Sequence, residues 1–292
     1  MARAPVRDRG GTSRGPPTHP TEPSDEGPAA IPPTSQFAEV SRGVGPAEGA
    51  VAPRTLERGL VVFDLDGTLL DDLGLIGDVA GEVLHHAFGT PAEEARRHYL
   101  ATTGMPFEAQ LAQLFPDVPA PKRSEVARLF HQRKIAEAYK YAAPFPEIPR
   151  VLSRLTRDGW TLAVSTGAER EMADLVLERE GLRYWFDGLL GSAQGTKREH
   201  LAEFRRRYPA APIFLIGDSR FAMEAARDVP GVVAVGRASS LKGWTLTPDD
   251  LTRWGARWAD YGLGELPEVL PRLLLPAAPG PSPRRRRPTK NR

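Results

Sequence analysis

Four short apolar runs, set among segments of helical periodicity, constrain the fold of this chain more than any other feature of its sequence. Residues 60–63, 161–164, 213–216 and 232–235 are rich in β-branched or large apolar side chains, and each run gives way to a small or polar residue. Short apolar runs alternating with helical patterns are the mark of a parallel α/β sheet. The segment 146–158 reads as a helix, with Ile148, Val151, Leu152 and Leu155 on one stripe and Gly159 closing it. Residues 170–180 form a second helical pattern ending at Gly181, and a third follows Gly217 with Met223, Ala225 and Ala226.

The first two runs are separated by residues 72–143, which read as helical throughout. Thr90, Pro91, Ala92 and Glu93 fit a capping box with proline at the first helical position. Gly104 and Pro106 interrupt the pattern, 107–115 resume it, and 124–141 form a longer helix. The expectation is a Rossmann-like, three-layer parallel-sheet core (58–72 and 144–276) interrupted by an all-helical insertion (73–143). Residues 1–57 are rich in Pro, Gly, Ser and Arg without a sustained period, and are expected to be disordered because they cannot bury enough apolar surface to offset ordering. Residues 277–292, with arginine at 284–287, read as a second flexible tail.

Composition excludes several chemistries. There is no cysteine, so disulfides, thiolate metal sites and a cysteine nucleophile are out; this fits a reducing, cytoplasmic setting. No apolar run approaches the roughly 20 residues needed to cross a bilayer, so no membrane association is expected. The sequence pI of about 9.0 is borrowed from one end. Residues 277–292 carry +6 and residues 1–57 carry −1, which leaves −3 on residues 58–276. A field that steers polyanions belongs on the folded part, so no nucleic-acid partner is expected. His85, His86, His98, His131 and His200 fall at no metal-ligand spacing, and Trp244, Trp254 and Trp258 read as ordinary packing.

The densest chemical signal is Asp64-Leu65-Asp66-Gly67-Thr68, directly after the first apolar run. Strand side chains alternate, so Asp64 and Asp66 project to the same side, at the sheet end where ligands bind. Two carboxylates held together repel, and a cation is the usual relief. Gly67 lets the chain turn away from the site. Ser165 and Thr166 end the second run with a hydroxyl and free backbone N–H groups before a helix, which suits a phosphate oxygen, with Ser165 the better-aligned of the two. Lys197, followed by Leu201 and Phe204, offers a compact point charge, with Arg198 its rival in register. Asp218 follows the third run in Ile216-Gly217-Asp218-Ser219.

These four motifs, in this order, resemble the haloacid dehalogenase superfamily over about residues 59–275, specifically its phosphatase and phosphomutase branch with a helical cap inserted after the first motif. The resemblance implies that Asp64 attacks phosphorus to form an aspartyl-phosphate, and that Asp66 protonates the leaving oxygen and then deprotonates water. It implies Mg2+ held by Asp64, the Asp66 carbonyl and Asp218. Lys197 would neutralise Asp64 and the phosphoryl group, and Ser165 or Thr166 would bind phosphate. The substrate would be a small phosphorylated metabolite. Ala222 departs from a common family pattern, which has a second Asp there, and Glu224 reads as a helix-surface charge. Gly104, Met105 and Phe107 mark a loop between insertion helices expected to read the leaving group. A phosphomutase, or an idle phospho-ligand-binding relative, is the alternative.

Overall fold

The computed structural model describes residues 56–274, so the expectations for 1–55 and 277–292 lie outside the described residues. Six strands form one parallel sheet: β1 (Gly59–Phe63), β2 (Trp160–Ser165), β3 (Gly188–Leu190), β4 (Ile213–Gly217), β5 (Val232–Arg237) and, after the short strands described below, β8 (Trp258–Asp260). Their order is β3-β2-β1-β4-β5-β8. The chain leaves central β1 toward β2 and β3, then returns to build β4, β5 and β8 on the other side. This reversal creates the crevice at the strand C-termini where α/β proteins bind ligands. Every residue of β1 and β4 is buried, which explains why both read as unbroken apolar runs.

Register does the rest of the positioning. Phe63 pairs with Val164 on one side and Ile216 on the other. Asp64, Ser165 and Gly217 therefore emerge level with each other, and the Asp64 amide donates to the Ile216 carbonyl at 2.9 Å.

Helices α5 (Ile148–Arg157), α6 (Arg170–Arg179), α7 (Lys197–Arg207), α8 (Arg220–Asp228), α9 (Pro248–Trp254) and α10 (Leu266–Leu273) accompany the sheet. Ile148, Val151, Leu152 and Leu155 of α5 are all buried, as their spacing requires. Each such side chain contributes about 1.5–3 kcal/mol of transfer free energy. The two apolar layers divide by strand alternation: Val61 and Phe63 face one cluster, Leu60 and Val62 the other.

Between β1 and β2 lie α1 (Leu73–Phe88), α2 (Ala92–Ala101), α3 (Phe107–Leu114) and α4 (Ala120–Arg133), the last running into a π-helical turn over Lys134–Tyr139. The chain enters and leaves this insertion side by side. The Asp71 amide donates to the Ala143 carbonyl at 2.8 Å, and the Phe145 amide to the Leu69 carbonyl at 3.1 Å. The rings of Phe107 and Phe130 stack at 4.0 Å between centroids, with Tyr99 at 5.5 Å from Phe130, so the insertion carries its own aromatic core.

Several local expectations need correction. The capping box at Thr90 is absent: Pro91 occupies the cap position of α2 and no side chain caps it. The long helix begins at Ala120 and changes winding at Lys134. Short strands β3 and β8, and the antiparallel pair β6 (Ser239–Leu241) and β7 (Trp244–Leu246), were not foreseen; each is only three residues long. Trp244, Trp254 and Trp258 do pack against the apolar clusters.

Candidate active site

The strand ends and the insertion enclose a cavity of about 480 Å3, bordered by Asp64, Asp66, Thr166, Lys197 and Asp218 from the core. Four separated stretches thus meet at one place.

Asp64 lies at its floor, 7% exposed, with its Oδ1 accepting the backbone N–H of Leu65 at 2.9 Å. Lys197 Nζ stands 2.9 Å from the same oxygen and donates to the Ser165 carbonyl at 2.8 Å. The lysine is presented by a capping box: Thr196 Oγ1 accepts from the Glu199 amide, and Glu199 Oε2 accepts from the Thr196 amide at 2.7 Å. Such a cap is worth about 1 kcal/mol and fixes the first helical residue, Lys197, toward the strand ends. Arg198, the register rival, is exposed.

Asp218 is buried, and Thr68 Oγ1 donates to its Oδ1 at 3.2 Å. Its Oδ2 has no partner among the described residues. Burial, and then repulsion from Asp64, push its carboxyl pKa up to about 8. Gly67, at φ 71°, is required here: a Cβ at that position would strike Asp218 Oδ2 and the Leu73 side chain. Among the described residues no group of three or more His, Asp or Glu side chains is arranged for a metal. The donor set is instead two crowded carboxylates, one with an orphaned oxygen. That set suits magnesium, which binds through one or two carboxylates and keeps several waters.

Ser165 and Thr166 separate in an unexpected way. The Ser165 side chain is turned into the protein, 2.9 Å from His200 Nδ1, while His200 Nε2 lies 3.1 Å from the Gly191 carbonyl. A carbonyl only accepts, so Nε2 carries the proton and the serine hydroxyl donates to Nδ1. Burial and neighbouring Lys197 depress the His200 pKa to about 4, which keeps the ring neutral. Thr166, not Ser165, borders the cavity. The expectation favoured Ser165, whose hydroxyl is here held by the buried histidine.

Ala222 is fully buried and packed beneath Gly217, where an added Cβ would come within 2.7 Å of the alanine methyl. It therefore belongs to the layer behind the strand end. Glu224 pairs with Arg220 at 2.7 Å, as befits a helix-surface charge.

The opposite wall is built by the insertion. Gly104, Met105 and Phe107 all border the cavity. Gly104 sits at φ 87°, pressed against Ser219, the residue whose hydroxyl caps α8. Buried Gln110 shapes the loop by accepting from Thr102 Oγ1 at 2.8 Å and donating to the Met105 carbonyl at 3.0 Å.

No sequence signal pointed to the residues that hold Asp66. Lys134 Nζ stands 2.5 Å from Asp66 Oδ2, and the Tyr139 hydroxyl donates to Oδ1 at 2.9 Å. Both come from the π-helical turn. Asp72, buried beside them, accepts the Gly67 amide at 3.0 Å, and burial together with Asp66 raises its pKa well above the carboxylate range. A lysine and a tyrosine five residues apart carry no signature; only the altered winding brings both onto one carboxylate.

The model of the haloacid dehalogenase-like hydrolases matches residues 61–234. The chain is 32% identical over 186 residues to the "Probable phosphatase IndB" of Dickeya dadantii, covering 61% of this chain and 80% of that protein. It is 26% identical to the phosphoglycolate phosphatase of Vibrio parahaemolyticus, over 58% of this chain and 79% of the relative. A solved hydrolase from Pseudomonas syringae superposes with a TM-score of 0.60 at 20% identity, covering 74% of this chain and 99% of that one, and so shares the fold. This chain belongs to the haloacid dehalogenase-like hydrolase family. It is accordingly a hydrolase, built as an α/β core with a helical insertion.

Proposed function

We propose that this hydrolase is a phosphatase that removes phosphate from a small phosphorylated metabolite through a covalent aspartyl-phosphate on Asp64. The observation that carries this reading is the convergence of Asp64 and Asp218, at two strand ends, and Lys197, at the start of a capped helix, on one cavity. The names of the relatives, phosphatases acting on small molecules where the name says so, support it.

The geometry supports the following roles. Asp64 Oδ attacks phosphorus and forms an acyl-phosphate bond as the ester P–O bond breaks. Asp66 gives its proton to the departing alcohol oxygen, then takes one from the water that attacks the phosphorus of the intermediate. Lys197 lies against Asp64 and offsets the charge on the transferring group. The Thr166 hydroxyl and the Gly167 amide offer donors to the phosphoryl oxygens. Asp64, Asp218 and the Asp66 carbonyl would hold Mg2+, which when bound supplies further charge neutralisation at phosphorus. We read residues 73–143 as a cap over this site, with the loop at Gly104, Met105 and Phe107 forming the roof that excludes bulk water.

The test is release of phosphate from p-nitrophenyl phosphate in the presence of Mg2+. Asp64→Asn is expected to lower kcat by at least about a thousandfold while leaving the melting temperature near that of wild type. Equal rates in the two proteins would remove this reading. Sustained release of free phosphate over many turnovers separates a phosphatase from a phosphomutase.

A further inference from the structure

The cavity is poor in cations. Of the residues that border it, Lys197 and Lys134 are the lysines, and there is no arginine. His131 is also present, but burial, and then Lys134, hold its pKa below the usual value, which disfavours its charged form. Lys197 is committed to Asp64 and to the Ser165 carbonyl. Lys134 is in a different state. It is 8% exposed, its Nζ lies 4.6 Å from the centre of the Tyr139 ring, and among the described residues Asp66 is its single hydrogen-bond acceptor. An ammonium has three N–H donors. The others have no acceptor among the described residues, Lys134 borders the cavity, and a buried donor left unmatched is costly until a ligand supplies one.

We propose that Lys134 reads a negative charge on the leaving alcohol, so that the preferred substrate is a small phosphate monoester whose alcohol bears a carboxylate or a second phosphate close to the ester oxygen. This rests on the phosphatase reading and names the substrate class for it. The placement follows from Asp66. Its carboxylate serves the leaving oxygen, and Lys134 is attached to that carboxylate from the insertion side. The group within reach of Lys134 is therefore on the alcohol, whereas the phosphoryl group faces Lys197 and Thr166. Met105 and Phe107 add apolar surface to that wall and leave Lys134 as its cationic feature. Glu108, Glu169 and Glu199 stand exposed around the cavity, an acidic margin that opposes long polyanions and leaves a small anion as the better fit.

The experiment compares kcat/KM of the full chain, with Mg2+, for three esters of similar size. These are 2-phosphoglycolate, the bisphosphate of ethylene glycol, and the neutral 2-hydroxyethyl phosphate. Wild type is expected to favour at least one charged ester over the neutral one by about 10- to 100-fold, and which one it favours identifies the anion. Lys134→Gln is expected to lower that ratio about tenfold or more, with Lys134→Arg retaining most of it. A wild-type ratio near one, or a ratio unchanged by Lys134→Gln, overturns the proposal. Should Lys134→Gln fail to fold, competitive inhibition of wild type decides: glycolate or its phosphate counterpart must bind at least about tenfold better than ethylene glycol, and equal inhibition overturns the proposal. Turnover of the neutral ester that is lost in Asp64→Asn leaves the phosphatase reading standing whichever way the ratio falls.

Discussion

The floor and the roof of the cavity are made by different rules. On the floor, Asp64, Thr166 and Asp218 lie at or just beyond the ends of buried strands whose register fixes their relative height, and Lys197 is set by a helix cap. On the roof, Lys134 and Tyr139 reach Asp66 because one helix changes its winding, and Gln110 reaches two loop positions through side-chain hydrogen bonds. A sheet with tightly paired backbones leaves few ways to misplace the floor. The roof depends on individual side chains, so it is the part free to change what the site accepts.

The first way to break this contrast is to attack the floor. Asp218→Asn is expected to reduce phosphate release by about a thousandfold, and chelation of divalent cations should reduce wild type to a comparable rate. A loss under tenfold in steady-state assays would mean that the floor is less demanding than its register suggests. Exchanging the two neighbouring hydroxyls sharpens the picture. Thr166→Val is expected to weaken inhibition by inorganic phosphate about tenfold, and Ser165→Ala by clearly less, because the Ser165 hydroxyl serves His200. The reverse order in phosphate inhibition constants would return the role to Ser165. On the roof, Tyr139→Phe removes one donor to Asp66 while Lys134 keeps its own, and kcat is expected to fall about three- to tenfold with the fold intact. A fall as large as that of Asp218→Asn would erase the distinction between floor and roof.

The smallest effect is thermodynamic. Asp218 has a folded-state pKa raised from the ordinary aspartate value to about 8, mainly by burial. A carboxyl whose pKa rises on folding adds stability below its unfolded pKa and loses that contribution as pH climbs through the folded value. Without divalent cation, the melting temperature is therefore expected to drop by a few degrees, roughly, between pH 5 and pH 8. Asp218→Asn should flatten part of that drop, with buried Asp72, also raised, supplying the remainder. Calorimetry in chelator at several pH values reads this directly, and a wild-type curve that is flat or rises over that range would contradict it.

How much of this was legible beforehand depends on how local the determinant is. The runs 60–63, 161–164, 213–216 and 232–235 became β1, β2, β4 and β5, each longer by one or two residues, since continuous apolar stretches with no room for water specify buried strands on their own. Asp64, Asp66, Lys197 and Asp218 were recognisable because each sits beside such a strand or opens a capped helix, and the structure gathers all four around the cavity. The edge strands β3 and β8 were not legible: three residues carry too little pattern to separate from a loop. Thr90 misled for a related reason, since a proline after it satisfied the sequence rule while the chain used Pro91 as its boundary. His200 stood out in the sequence only as a histidine at no metal-ligand spacing, and the tertiary approach of β2 reveals it as the acceptor of the Ser165 hydroxyl. Lys134 and Tyr139 were invisible because a departure from regular helical winding has no compositional mark.

The π-helical turn over Lys134–Tyr139 makes that segment a vernier. Each residue of ordinary helix advances the azimuth by about 100°, so dropping a single residue from the turn would swing everything downstream through a large arc while the flanking helix stayed put. Natural variation in length by one position, more than substitution of any single side chain, is thus a cheap route for lineages of this architecture to exchange one set of roof groups for another.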